Sequence, residues 1–346
     1  MTLKPLLLNS SRSEGCTLTG ALSVTTSVHD AITVIHGPAG CAHHNFSLLH
    51  ASGLDNDTFH IPAMLSSGMQ EQDVIFGGEE ALKSAIARAE AMHPACIFVL
   101  SSCIPDTIGD DTGAVCAARN AVPLYLVPTG GFLGGGFFAG YQNALLTLSS
   151  SATRGEPQPE VSIIGEKNLE YEVDQNYREV VRLLALLGLQ VGLRFVRNIR
   201  FADISRLGTG SLNILREPAL EPVGRTLENR FGTPYVCSFP TGFSGTLRFL
   251  EQAGDAMSIE SRDAIRNEET VQKEVISSFN DLKGKAVSLG YPGMVPLNDT
   301  NLIDLFDALD LTICDQAPNV TVPVPFPVGT SGISRKLHRW RRTLHA

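Results

Sequence analysis

Short apolar runs bounded by glycine, proline and polar residues alternate along this chain with stretches in which apolar positions recur every three or four residues. The first kind reads as buried strands, the second as amphipathic helices. Ile32–Ile35 is a strand end that leads into a Gly-Pro-x-Gly turn and a helix-like segment, His43–His50. There follow a helix over Glu79–Met92, a strand over Ala95–Leu100, a helix over Asp106–Asn120, a strand over Val122–Val127 and a helix over Tyr141–Leu148. Pro94 and Pro123 stand where strands begin, positions that tolerate a missing amide. Strands alternating with helices imply right-handed crossovers and a parallel sheet, so residues 1–150 are expected to form a first α/β domain.

The polar, proline-containing stretch "TRGEPQPE", Thr153–Glu160, reads as a linker. After it the alternation resumes with strands at Val161–Ile164, Val191–Phe195, Ser211–Leu215 and Pro234–Cys237, and helices at Asn176–Leu187, Leu220–Phe231 and Gly245–Gln252. A helix over about 259–279 bridges to a third strand group opened by Ala286–Gly290, with helix Asp304–Leu309 and strand Leu311–Cys314. The run "PNVTVPVPFPVGTSG" then lacks too many amides to be a central strand. The expected class is α/β, with repeated Rossmann-like parallel-sheet domains over 1–150 and 151–280 and a truncated third unit over 281–346.

Three cysteines fall where such folds gather ligands. Cys16 follows Gly15, Cys41 follows the turn Gly37-Pro38-Ala39-Gly40, and Cys103 follows the apolar run Ala95–Leu100. A cysteine between a strand and a helix lies at the carboxyl edge of a parallel sheet. Glycines let backbone amides approach a ligand, and helix starts favour negative charge such as a thiolate. Each cysteine taken alone is also compatible with a buried structural thiol. Three at equivalent edges can converge on one site.

The segments "CTLTGA" at 16–21, "HGPAGC" at 36–41, "SSGMQEQDVIFGGEEAL" at 66–82, "SSCIPDTIGDD" at 101–111 and "GGFLGGGFFAGYQNAL" at 130–145 carry a resemblance. So do "VSIIGE" and "LENRFGTPYVCSFPTGFSGTLRFL" further along. In order and spacing the chain resembles the component 1 subunits of nitrogenase and its relatives, most of all the β-like subunit. That resemblance implies that Cys16, Cys41 and Cys103 ligate an iron–sulfur cluster shared with a partner subunit, either [4Fe-4S] or a P-cluster-like [8Fe-7S] group. It further implies an α-like component 1 subunit as partner in an α2β2-type hetero-oligomer. A homodimeric, ATP-hydrolysing iron protein would dock and inject low-potential electrons, which pass to a reduction site in the partner subunit. The implied function is the electron-relay subunit of a nitrogenase-like reductase acting on dinitrogen or on a C–S bond of methylthio-alkanes. A cofactor-assembly scaffold and a tetrapyrrole reductase subunit are the two other readings.

Departures from the family narrow this. Gly131 stands where a β-type serine adds a cluster ligand, which favours a smaller cluster or one without that ligand. No match is found to the mid-chain Cys and late His that hold the large cofactor. Cys237, in "PYVCSFPTGF", aligns with a non-ligand segment, and Cys96, Cys116 and Cys314 read as core thiols. His43, His44 and His50 either line an interface or decorate a helix face. Asp106, Asp110 and Asp111 read as helix caps in preference to a catalytic carboxylate pair, and Glu71 and Gln72 are read likewise. "GGFLGGGF" lacks the Gly-Lys-Ser/Thr of a phosphate-binding loop, so ATP hydrolysis is expected of a partner.

Composition changes little else. Across 346 residues, 27 basic against 36 acidic side chains give −9, which argues against general nucleic-acid binding. No apolar stretch is long enough to span a bilayer, and Lys4–Leu8 makes a poor signal peptide, so a cytoplasmic protein is expected. Seven cysteines in a chain this long look like metal ligands plus core thiols, not a disulfide framework. The basic cluster Arg335, Lys336, Arg339, Arg341 and Arg342 reads as a solvated tail or a subunit contact.

Overall fold

The computed structural model describes residues 15–56, 61–118, 121–167, 169–170, 172–289, 299–323 and 325–345. Lys4–Leu8, Asn120 and Gly290 lie outside them. The first unit runs α1 (Thr17–Thr25), β1 (Ala31–His36), α2 (Ala39–Asp55), β2 (Met64–Ser66), α3 (Glu71–Phe76), α4 (Glu79–Glu90), β3 (Cys96–Ser101), α5 (Cys103–Ile108), α6 (Thr112–Ala117), β4 (Leu124–Val127) and α7 (Phe137–Ser149). Its strands form a parallel sheet in the order β2-β1-β3-β4. The central strands β1 and β3 are buried at every position, as continuous apolar runs in a sheet covered on both faces should be. Alternation along them splits two cores. Ile32, Val34, Ile97 and Val99 meet Leu82 and Ile86 of α4, whereas Ile35, Phe98 and Leu100 join the cluster containing α1 and α7.

Helix α1, absent from the sequence reading, is buried at all nine positions and so shows no amphipathic period. It lies backbone to backbone against α7. A Cβ on Gly20 would sit 1.9 Å from the Phe137 carbonyl oxygen, and one on Gly140 1.8 Å from the Thr17 carbonyl oxygen. Neither oxygen can move without separating the helices. Gly140→Ala is therefore expected to cost about 3 kcal/mol, the upper end for overpacking. Gly40→Ala, with nothing within 4 Å, should leave urea unfolding unchanged or shift it upward. Equal midpoints for the two variants would contradict this packing.

The helix expected over Asp106–Asn120 is two helices, α5 and α6. Gly109 breaks it in the left-handed region (φ 80°), and Asp111 restarts it by accepting from the Ala114 amide at 2.8 Å. Asp110 does not cap a helix. Its carboxylate instead accepts from the Gly78 amide at 3.0 Å and pairs with His36 Nε2 at 3.0 Å.

The second unit comprises β5 (Glu160–Ile164), α8 (Val173–Ala185), β6 (Gln190–Phe195), β7 (Leu212–Leu215), α9 (Glu221–Phe231), β8 (Tyr235–Val236) and α10 (Gly242–Ala256), with parallel order β6-β5-β7-β8. Ile164, Phe195 and Leu215 face the same apolar cluster as Leu22 of α1 and Tyr141 of α7, so the first two sheets share one continuous core. Val161, Ile163 and Val236 face α8 and α10 on the other side.

The third unit is short: α11 (Arg262–Ser278), β9 (Ala286–Leu289), α12 (Thr300–Leu309), β10 (Thr312–Ile313), β11 (Asn319–Val320) and α13 (Gly329–Leu344), with parallel order β10-β9-β11. The proline-rich run contributes the edge strand β11 and, at its end, the start of α13. The basic cluster, expected as a solvated tail or a subunit contact, is on helix α13. Its apolar face, Ile333, Leu337 and Trp340, joins the core of the third unit, where Trp340 stands edge-on to Phe306 of α12 and its Nε1 donates to the Thr321 carbonyl at 3.0 Å. Arg335 and Arg339 pair with Glu172, and Arg341 pairs with Asp281, tying the chain's end to the second and third units. Lys336 is buried, donates to Thr321 Oγ1 at 3.0 Å, and burial pushes its pKa down to about 8. Among the described residues no helix is long and apolar enough to cross a membrane.

Candidate metal centre

Cys16 is the N-cap of α1, Cys41 lies in the first turn of α2, and Cys103 is the first residue of α5. The last two follow the carboxyl ends of β1 and β3, adjacent parallel strands, which brings α2 and α5 to one sheet edge. Cys16 reaches that edge through the loop before α7. Its backbone bridges Gly136, and the Gly131 carbonyl accepts from the Thr17 amide at 3.3 Å and from Thr17 Oγ1 at 2.6 Å. The same loop holds Cys103, whose Sγ accepts from the Phe132 amide at 3.2 Å. Gly131 is in the left-handed region (φ 55°), and a Cβ there would lie 2.2 Å from Cys103 Sγ. A side chain at this position would collide with the thiol and with the Cys103 amide.

The thiols sense one another. The Cys41 pKa is raised first by burial, then by the charges of Cys103 and Cys16, and the nearby Ser102 hydroxyl opposes the rise. Among the described residues no cationic side chain is among these influences on Cys41. Three cysteine donors are a set that suits a soft metal centre. Among the described residues no three His, Cys, Asp or Glu side chains converge tightly enough to hold a single metal ion.

The remaining candidates lie elsewhere. Cys96 is buried in the first core and Cys116 is half-buried, its thiol pushed up to about 11 by burial; Cys314, expected in a core, is exposed at the edge of the short third sheet. Cys237 follows β8 and packs against the shared core. His43, His44 and His50 are exposed on α2. His36 was not singled out by sequence, yet it is fully buried beside the site. Its Nδ1 faces Ser67 Oγ at 3.1 Å and its Nε2 faces Asp110. Burial lowers its pKa, outweighing the opposite pull of Asp110, Glu79 and Asp106. Only its position at the end of an apolar strand hinted at a structural role.

The thiol edge is flanked by apolar surface. Phe132, next to the amide that bonds Cys103, is 75% exposed, and Phe76 at the end of α3 is 86% exposed, with Ile75 and Leu133 alongside them in sequence. Large exposed side chains of this kind mark an interaction surface.

Residues 16–304 match the family described as "Nitrogenase component 1 type Oxidoreductase". The chain belongs to that family. Among curated relatives it is 29% identical over 288 residues to the nitrogenase iron-molybdenum cofactor biosynthesis protein NifE of Clostridium pasteurianum, covering 79% of this chain and 62% of that one. It is 25% identical to the nitrogenase molybdenum-iron protein alpha chain of the same organism, covering 78% of this chain and 52% of that protein. A Methanosarcina barkeri NifE is 27% identical over 86% of this chain. The solved structure "Nitrogenase Cp1 at pH 5" superposes with a TM-score of 0.68 at 20% identity, over 95% of this chain and 66% of that one. The chain thus has the component 1 fold, and it spans about 62% of the length of the first of these relatives.

Proposed function

We propose that the chain is the cluster-holding, electron-relay subunit of a nitrogenase-like reductase complex, with Cys16, Cys41 and Cys103 as its contribution to a shared iron–sulfur cluster. What supports this reading is that Cys41 and Cys103 follow adjacent parallel strands at one sheet edge and Cys16 is bridged to the loop that holds Cys103, with Cys41 within electrostatic reach of the other two. Such a cluster, when bound, supplies one-electron transfer at low potential. The chain's own residues position it: the α1 and α2 helix starts favour thiolate charge, and the Phe132 amide donates to Cys103 Sγ. The apolar rim around Phe132 and Phe76 is the surface on which a second component-1-type subunit and an ATP-hydrolysing iron protein would close.

A second reading, a cofactor-assembly scaffold, is favoured by the relatives named as NifE biosynthesis proteins. Anaerobic purification with co-purifying partners, followed by iron and sulfide counting and an ATP-dependent turnover assay with the iron protein, separates the two. The relay reading expects bound iron and substrate reduction by the complex. Bound iron without turnover by the complete complex would transfer the assignment to the scaffold, and an iron-free complex would defeat both.

A further inference from the structure

We propose that the Ser102 hydroxyl is a hydrogen-bond donor reserved for the Cys41 sulfur, and that through it Ser102 tunes the potential of the cluster. This rests on the cluster reading above. Ser102 is 2% exposed, and its Oγ makes no hydrogen bond among the described residues. A buried hydroxyl left without a partner costs roughly 1–3 kcal/mol, so its retention at this place calls for a use. The usual use is excluded here: Ser102 is the N-cap of α5, the position where a serine side chain ordinarily accepts from a helix amide, yet it makes no such bond. Its backbone amide is already spent on the His36 carbonyl at 2.9 Å.

The surroundings are shaped to admit this hydroxyl. Gly37, in the turn that leads to Cys41, has φ 151°, and a Cβ there would lie 2.1 Å from Ser102 Oγ. Any other residue at position 37 would push the hydroxyl away. The Ser102 oxygen therefore occupies the space between the β3 end and the β1–α2 turn, whose helix carries Cys41 in its first turn. A neutral thiol is a weak acceptor and leaves the donor idle. A metal-bound thiolate is a stronger one, and its bond strengthens as the cluster takes up an electron, because added negative charge is shared with the sulfur ligands. A donor of this kind favours the reduced state.

The test compares the anaerobically purified holo-complex with its Ser102→Ala and Ser102→Thr variants. Iron content is measured first, then the midpoint potential by redox titration, then the response of the iron–sulfur stretching bands to transfer into D2O. Ser102→Ala is expected to keep its iron and to show a lower midpoint potential. The shift should approach a tenfold change in the reduced-to-oxidised ratio, about 59 mV for one electron. The deuterium response assigned to the Cys41 ligand should vanish in Ser102→Ala and persist in Ser102→Thr, a contrast that a purely packing role would not produce. An iron-replete Ser102→Ala complex with the wild-type potential and deuterium response overturns this inference and leaves the cluster reading standing. An iron-free wild-type complex removes the cluster reading and this inference with it.

Discussion

Cys41→Ala is expected to yield a complex without the broad visible absorbance of an iron–sulfur chromophore, with iron reduced to near background and no measurable turnover. Cys41 follows β1, the strand that pairs directly with the β3 strand preceding Cys103. It also sits on α2, whose first turn faces the Ser102 hydroxyl, so its loss removes a ligand and leaves a buried donor idle. On the proposed cluster reading, two thiols would be left on this chain's side where three are called for. Folding should survive, because Cys41 is only half-buried and an alanine suits a helix's first turn. Cys314→Ser, at an exposed position, is the matched control and should keep full iron content. The measurement is iron per chain on anaerobically purified protein of each variant. Wild-type iron in Cys41→Ala would remove this residue from the ligand set.

The parts of this fold that could be read from sequence are those whose burial leaves a periodic trace. Strands β1, β3 and β5 are apolar runs of four to six residues closed by turn signals, and the structure places them within a residue or two of expectation. Helix α1 left no trace because its entire circumference is buried and its fit depends on Gly20 and Gly140, residues that usually speak against a helix. Helix α13 did leave one: Ile333, Lys336, Leu337 and Trp340 recur at helical spacing. The charges among them suggested a solvated tail or a subunit contact, since a sequence does not say that Glu172 and Asp281 lie opposite. At the site, the three cysteines were visible through their motifs, whereas Ser102 and His36 matter only through what stands beside them in space.

The same lesson applies at the carboxyl edge of the second sheet, where Glu170→Gln is expected to destabilise the protein by about 3–5 kcal/mol, the range for breaking a buried ion pair. Glu170 joins Lys167 at 2.9 Å and Arg216 at 2.9 Å, all three buried, and Lys167 also reaches Glu217 at 2.6 Å. Burial alone would raise the Glu170 pKa; the charges and hydrogen bonds of Arg216 and Lys167 more than reverse this and hold its carboxyl below the ordinary range. A carboxylate whose folded pKa is depressed contributes stability that is present above its unfolded pKa, about 4.3, and is lost as pH falls through the folded value. The wild type should therefore lose stability more steeply than Glu170→Gln on acidification below that point. The network bears on the site because the Glu170 backbone carbonyl accepts from Asn56 Nδ2 at 2.6 Å. Asn56 caps the far end of α2, the helix that carries Cys41. Urea midpoints at neutral and acidic pH measure the effect. Replacing both charges, Glu170→Leu with Arg216→Met, should recover much of the loss, since apolar substitutes for a whole pair often match it while a lone buried cation does not. A double variant as unstable as Glu170→Gln would mean that the carboxylate serves the Asn56 contact and not the cations around it.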